Sequence, residues 1–412
     1  MKRLAFLLEF RKVARFIQKK VPLPILMFWA AVGGGLIPAG RPFVYVGLAI
    51  LICCVLAMLF PWATRFLLAF SPLGRHFASI DAGAYDLYDR GRMLMEKRTT
   101  ESLKEAKDCL TEAVKKKPNF ARARAAQAHC TNLLAVYLES SPKEAIAKAR
   151  SEALAALEID GKLADAHEAL AHAEMLDECW LEANAGFLQA IKINPNYATP
   201  YQRLALMQAA VGRPDYAQTL IQKAQKLDPN SRIISADVGL IYFLQGKLDR
   251  ALKEYDSTLH MDSNFSFVHF LLGVLYEKRG DFSLAIERYE FANNASTACM
   301  AAKMALARAL WLSGERNRSQ NSLNELLQLA ERRFVSPYGI ATIYAGMGDS
   351  SRYSQWLNKA FKCRSVWLTH FHFKSDFRLD CLRSDGPFRP SIYGDCRTDR
   401  QIANVRQEMY AA

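Results

Sequence analysis

Motifs that carry chemistry are what this 412-residue chain lacks. It has no phosphate-cradling glycine loop ending in Lys-Ser/Thr, no dinucleotide-binding glycine triplet after a strand and no paired metal-ligand helix motif. Its nine cysteines have no regular spacing, and Cys53 and Cys54 sit inside an apolar run. That distribution excludes a disulfide framework and mildly favours a reducing compartment. Cys363, His370, His372 and Cys381 are soft ligand types at short range, but their spacing matches no common zinc module. His167 and His172 stand five apart, off the three- or four-residue interval that shares a helix face. No metal is assigned to either group. With no acid–base or nucleophilic constellation in view, the chain reads as non-catalytic, without cofactor or evident small-molecule substrate.

A concentration of positive charge is also missing where a nucleic-acid interface would need it. The formal charge is +13, yet residues 81–360 hold 35 Lys/Arg against 34 Asp/Glu, while residues 1–80 hold ten against one. A basic stripe along the body of the chain is the expected footprint of nucleic-acid binding. Its absence from the balanced region argues against a nucleic-acid partner.

What is present is a period. Ala171, Ala205, Gly239, Gly273, Ala307 and Ala341 follow one another at 34 residues, and Ala128 stands 43 before the first. Independent columns keep the same register. Ala149, Ala183, Ala217, Ala251 and Ala285 form one, with Ala106 before them and Ser319 and Tyr353 after. Ala113, Ala156, Ala190, Ala224, Thr258, Ala292, Leu326 and Ala360 form another. Between them lie bulkier residues: Leu110, Phe187, Ile221, Tyr255, Tyr289, Leu323 and Leu357, with Ala153 in the same column. Small residues let two helices approach, and a large apolar neighbour fills the gap beside them. Pro118, Gly161, Pro195 and Pro229 break the helix at the unit boundary, a position that decays to Ser263 and Thr297. Gly212, Gly246, Gly280, Gly314 and Gly348 fall where a left-handed residue ends the first helix of a unit. A 34-residue helix-turn-helix repeat is the sequence mark of an all-α solenoid.

These columns resemble those of the tetratricopeptide repeat family. Counting second helices from Ala106 to Tyr353 gives about eight repeats over residues 82–365, and the nine extra residues between Ala128 and Ala149 are expected to lengthen one loop near Ser140, Ser141 and Pro142. Further stretches, Ala84-Tyr85-Asp86-Leu87-Tyr88 with Gly91-Arg92, Val335-Ser336-Pro337-Tyr338, and Leu382-Arg383-Ser384-Asp385 with Pro387-Phe388, look like the repeat domain at the C-terminus of bacterial membrane-anchored winged-helix transcription regulators and related signalling proteins. With about 80 residues ahead of the repeats, a counterpart of their effector domain is not expected.

Those residues suggest a membrane. Over 1–20, Lys2, Arg3, Arg11, Lys12, Arg15, Lys19 and Lys20 interleave with Leu4, Phe6, Leu7, Leu8, Phe10, Val13, Phe16 and Ile17, as in a basic amphipathic helix on an anionic surface. Uncharged runs at 21–40 and 42–64 are separated by Arg41, and about 20 apolar residues span a bilayer. The expectation is a transmembrane helical hairpin over 21–63, a linker over 64–81, the solenoid, and a C-terminal cap and tail over 366–412. A hairpin would hold the repeats on the cytoplasmic side of a bacterial inner membrane; a single span would place them in the periplasm.

In a tetratricopeptide superhelix the first helix of each unit lines the concave face. With the small residue counted as position 8, positions 2, 5, 9 and 12 point inward. Early units then contribute Arg122, His129, Asn132, Asp165, Glu168 and His172. Later ones contribute Ile233, Leu240, Phe243, Phe267, Phe270, Val274, Met304, Trp311 and Tyr338, so the groove turns from polar to apolar. The resemblance also implies, for chaperone-tail binders, a clamp of Lys and two Asn. Glu168, His172 and Arg203, then Gln202, Leu206 and Asp237, occupy those places and do not supply it. The expected partner is therefore a protein segment, an amphipathic helix or an extended strand, held by a membrane-anchored scaffold. Rival readings are a signalling component whose effector is a separate chain, and an accessory subunit of a membrane complex. Trp367, Phe371, Phe373, Phe377 and Phe388 could instead fill the groove from within the chain.

Overall fold

The computed structural model describes residues 72–137, 142–294, 300–363 and 376–379. The chain forms two compact units, Met1–Asp81 and Ala82–Ala412. In the first, the described part is the beginning of one helix; the second is the solenoid.

Sixteen α-helices are present among the described residues, arranged as eight helix-turn-helix pairs. They are α1 (Pro72–Glu96) with α2 (Thr100–Lys116), α3 (Ala121–Val136) with α4 (Pro142–Ile159), α5 (Ala164–Leu176) with α6 (Trp180–Ile193), and α7 (Ala198–Ala210) with α8 (Pro214–Leu227). They continue with α9 (Arg232–Leu244) and α10 (Leu248–Met261), α11 (Ser266–Arg279) and α12 (Phe282–Asn294), α13 (Met300–Leu312) and α14 (Arg316–Ala330), and α15 (Pro337–Met347) and α16 (Ser350–Lys362). Among the described residues a 3₁₀ turn, Phe377–Leu379, follows.

The fold assignment needs one correction. It is an all-α solenoid, and the transmembrane hairpin does not belong to it, because no helix among the described residues is long and apolar enough to cross a membrane. The physical reason is in the repeat: most of its helices are 11–18 residues long, and the 25-residue α1 carries charged residues throughout. The runs over 21–63, like the basic segment 1–20, lie outside the described residues. Part of the stretch read as a linker, from Pro72 onward, is helical.

Packing follows the columns. Every residue in the three second-helix columns is buried, as are the small residues of the first helices. The two glycines among those small residues have a specific cause. A Cβ built on Gly239 would meet Tyr255 Cε1 at 2.4 Å, and one built on Gly273 would meet Tyr289 Cε1 at 2.4 Å. Only in these two units is the opposed residue a tyrosine; where it is Phe187, Ile221, Leu323 or Leu357, alanine suffices. Polar members of the columns find partners: Ser319 Oγ donates to the Ala307 carbonyl at 2.7 Å, and Thr258 Oγ1 to the Glu254 carbonyl at 2.8 Å.

The turns obey the same economy. All five glycines of the turn column have positive φ, from 73° to 95°. The equivalent position one unit earlier is Glu178, held at φ 63° in a region that costs a residue with a Cβ about 1–2 kcal/mol. At the unit boundaries a side chain from the new first helix reaches back six residues to the loop carbonyl. Arg124 Nε donates to Pro118 at 3.0 Å and Tyr201 Oη to Pro195 at 3.2 Å; His167 Nε2 lies 3.1 Å from the Gly161 carbonyl and His269 Nε2 2.9 Å from that of Ser263. His167 is thus a loop tether, which explains why it is out of step with His172. The nine-residue insertion goes largely into helix: α3 has 16 residues and α4 has 18, against 13 and 14 for α5 and α6. Pro142 opens α4, while Ser140 and Ser141 lie outside the described residues.

Candidate docking groove

Side chains at the inward positions of the first helices meet one another, and they divide into two regions. The early region is polar and closed. His129 on α3 places Nδ1 2.9 Å from Glu168 Oε2 on α5, and the rings of His129 and His172 are 6.1 Å apart between centroids. Glu168 and His172, one turn apart on α5, are fully buried. Asn132 Nδ2 donates to the Ala169 carbonyl at 2.8 Å, and Gln202 Nε2 to Asp237 Oδ2 at 2.5 Å. The turn after α1 enters the same space. Arg232 Nη2 donates to the Glu96 carbonyl at 2.9 Å across 136 residues of sequence, and Arg98, at φ 55°, is close enough to His172, Arg203 and Asp237 to act on their charge.

Burial dominates the electrostatics here. It pushes His172 well below the ordinary imidazole value, aided by Arg203, His129 and Arg98, so this ring is neutral at physiological pH. It pushes Asp237 up to about 6 against the hydrogen bond from Gln202 and the charges of Arg203 and Arg98.

The later region is apolar at its edges and holds a piece of the chain's own C-terminal segment. Tyr338 Oη on α15 donates to Asp376 Oδ2 at 2.6 Å, and Arg378 Nε and Nη2 donate to the same carboxylate at 2.8 and 2.7 Å. The Phe377 ring lies 6.3 Å from that of Phe243 on α9, with Lys278 Nζ on α11 4.7 Å from its centroid. Arg308 on α13 donates to the Arg378 carbonyl at 3.3 Å and pairs with Glu277 on α11, whose Oε2 accepts from Tyr289 at 2.7 Å. Four successive first helices therefore grip residues 376–379. Burial raises the Asp376 carboxyl, but Arg378 and the hydrogen bonds from Arg378 and Tyr338 outweigh it and hold the group well below the usual carboxylate range.

The nine groove residues read from the sequence fall into two sets. Ile233, Leu240, Phe243, Phe267, Val274 and Trp311 are half-buried at the groove surface, and Arg316 stacks over the Trp311 ring at 5.0 Å. Phe270, Met304 and Tyr338 are buried. Phe270 packs 6.1 Å from the Tyr289 ring, Met304 fills the space that a side chain on Gly339 would take, and Tyr338 holds Asp376. Phe270 serves the interior of its own helix pair, and Met304 the interior between two units. Of the tail aromatics, Phe377 is in the groove; Trp367, Phe371, Phe373 and Phe388 lie outside the described residues, as do His370, His372 and Cys381 of the four-residue ligand group. Cys363 Sγ contacts the Ala360 carbonyl at 3.5 Å. The convergence of His129, Glu168 and His172 was not singled out from the sequence, although positions 9, 5 and 9 of adjoining units contain it.

No protein-family model and no curated protein matches the chain. Solved structures do. The chain is similar to the Cut9 and Hcn1 hetero-tetramer of the APC/C at 14% identity and a TM-score of 0.51, over 70% of this chain and 55% of that one. It is also similar to PilF of Pseudomonas aeruginosa at 18% identity and a TM-score of 0.38, over 57% of this chain and 99% of that one. A third similarity is to TTC0263, a tetratricopeptide protein of Thermus thermophilus, at 19% and 0.40, over 45% and 99%. Eight helix pairs, most of them at a 34-residue period, with glycines at five left-handed turns and small-to-large packing within the pairs, give this chain the helix-turn-helix repeat fold of the tetratricopeptide proteins.

Proposed function

We propose that the chain is a non-catalytic scaffold that docks a short segment of a partner protein in the apolar half of its concave groove. The observation that carries this reading is the seating of residues 376–379 against α9, α11, α13 and α15. An acidic group on Tyr338, an aromatic ring between Phe243 and Lys278, and a backbone carbonyl on Arg308 describe the contacts such a segment would make. A partner segment of matching character, apolar on one face and carrying a carboxylate, competes with the chain's own turn for these groups. Ile233, Leu240, Phe267, Val274 and Trp311 extend the apolar surface beyond the turn, so a longer amphipathic helix or extended segment gains area that residues 376–379 leave uncovered.

The test uses two half-buried positions, because the buried Phe270 would confound binding with packing. Phe243→Asp and Trp311→Asp should each reduce recovery of a protein partner from a mild pull-down while leaving helical content unchanged. Undiminished recovery with both variants removes the groove from the account.

A further inference from the structure

The polar half of the groove has a property that peptide docking does not use. Glu168 and His172 are 0% exposed, and among the described residues Glu168 Oε1 and both ring nitrogens of His172 have no hydrogen-bond partner. Leaving a buried polar atom unpaired forfeits the hydrogen bond it made with water, and three such atoms converge within one turn of α5. His129 completes the group from the neighbouring repeat: its Nδ1 reaches the other carboxylate oxygen of Glu168, and its side chain is 14% exposed. The ligating atoms offered by the three residues lie within 4.8 Å of one another. Donors around one zinc ion, each at about 2.0–2.2 Å, lie no more than about 4 Å apart, so an adjustment of less than about an ångström closes the set.

We infer that His129, Glu168 and His172 form a binding site for a divalent transition-metal ion of the zinc class, joining two adjacent repeats in the polar half of the groove. Two imidazoles and a carboxylate select a borderline metal over calcium or magnesium, which prefer all-oxygen shells. The arrangement arises from the repeat itself. Position 9 is histidine in two successive units, and position 5 of the second unit is glutamate, one helical turn from its own histidine. Arg98 and Arg203 face the group and oppose a cation; Glu168 and the nearby Asp237 offset them. With three protein ligands the ion keeps at least one open position. A filled site would cross-link α3 to α5 and stiffen the polar half of the solenoid. This inference concerns different residues from the docking reading and stands or falls apart from it.

The full-length chain, freed of metal by chelation, is titrated with cobalt(II) and then with zinc(II). The expected result is one cobalt ion per chain with visible d–d absorption of reduced coordination number, displaced by zinc. His129→Gln, at the more exposed ligand, and Glu168→Gln should each weaken binding at least about tenfold, since even outer-shell changes at metal sites cost 10–100-fold. A Cys363→Ser/Cys381→Ser variant should bind as the wild type does. Absence of cobalt absorption, wild-type affinity in both ligand variants, or loss of the signal only in the cysteine variant would overturn the assignment. His129 lies at the edge of the packing, so its variant remains readable if Glu168→Gln fails to fold.

Discussion

Replacing Gly273 by alanine is a perturbation whose sign is set by the structure against the ordinary preference of helices. In an exposed helix interior the change would gain about 1 kcal/mol from reduced backbone entropy. Here the added Cβ would lie 2.4 Å from Tyr289 Cε1, 2.5 Å from Cδ1 and 3.0 Å from Cζ. The ring cannot swing aside, because Tyr289 is fully buried and its hydroxyl is tied to Glu277, which is itself paired with Arg308. Forcing a methyl group into a filled core costs about 1–3 kcal/mol, and the anchored ring puts this site in the upper part of that range. The net loss is about 1–2 kcal/mol. Urea unfolding followed by circular dichroism would show a midpoint lowered by about 0.5–1 M, taking a slope of about 2 kcal/mol per molar. Combining Gly273→Ala with Tyr289→Leu recreates the Ala307 and Leu323 pairing found in the next unit. In that background the alanine should cost nothing, a coupling of at least about 1 kcal/mol between the two positions. A Gly273→Ala chain as stable as the parent, or additive losses in the double variant, would refute the steric reading of the glycine column.

Glu178 occupies a left-handed turn position that glycine fills in the five later units, so Glu178→Gly should raise stability by about 1 kcal/mol at pH 8. Burial lifts its carboxyl to about 7, above the unfolded value, so the native chain holds that proton more tightly than the unfolded one and loses stability as pH rises toward 7. The advantage of the glycine variant should therefore shrink between pH 8 and pH 5 in thermal melts; a gap that widens on acidification contradicts it. Asp376→Asn weakens the hold of Tyr338 and Arg378 on the C-terminal turn. Hydrogen exchange at residues 376–379 should accelerate, and affinity for a groove partner should rise at least about threefold as the competing segment vacates its place. Unchanged protection, or a fall in affinity, would show that the turn is not a competitor.

The solenoid was legible in the sequence because helix pairs of this kind are specified by local columns. The 34-residue interval gave the number of repeats, the left-handed glycines and the buried faces, and all of these rest on contacts within a unit or between neighbours. The groove was only half legible. Register placed the side chains at positions 2, 5, 9 and 12 inward, and it could not separate Phe243, which lies at the surface, from Phe270, whose ring turns toward Tyr289 on the second helix. Of the contacts distant in sequence, only the filling of the groove by Phe377 was among the alternatives the residues offered. The approach of the turn at Glu96–Arg98 to α9, and the clasp of Asp376 by Tyr338, depend on how successive pairs wind, which no single unit encodes. His129, Glu168 and His172 are intermediate. Their columns were in view, but a search for ligands close in sequence could not join residues 39 apart.

The central claim is that the apolar half of the groove is where a partner binds. Its most direct measurement is the dissociation constant of an identified partner for the wild-type chain and for the Phe243→Asp chain, compared at equal helical content. The account predicts affinity at least about tenfold weaker in the variant, since a charge set among desolvated contacts costs more than about 1.4 kcal/mol. Equal affinity for the two chains would contradict it.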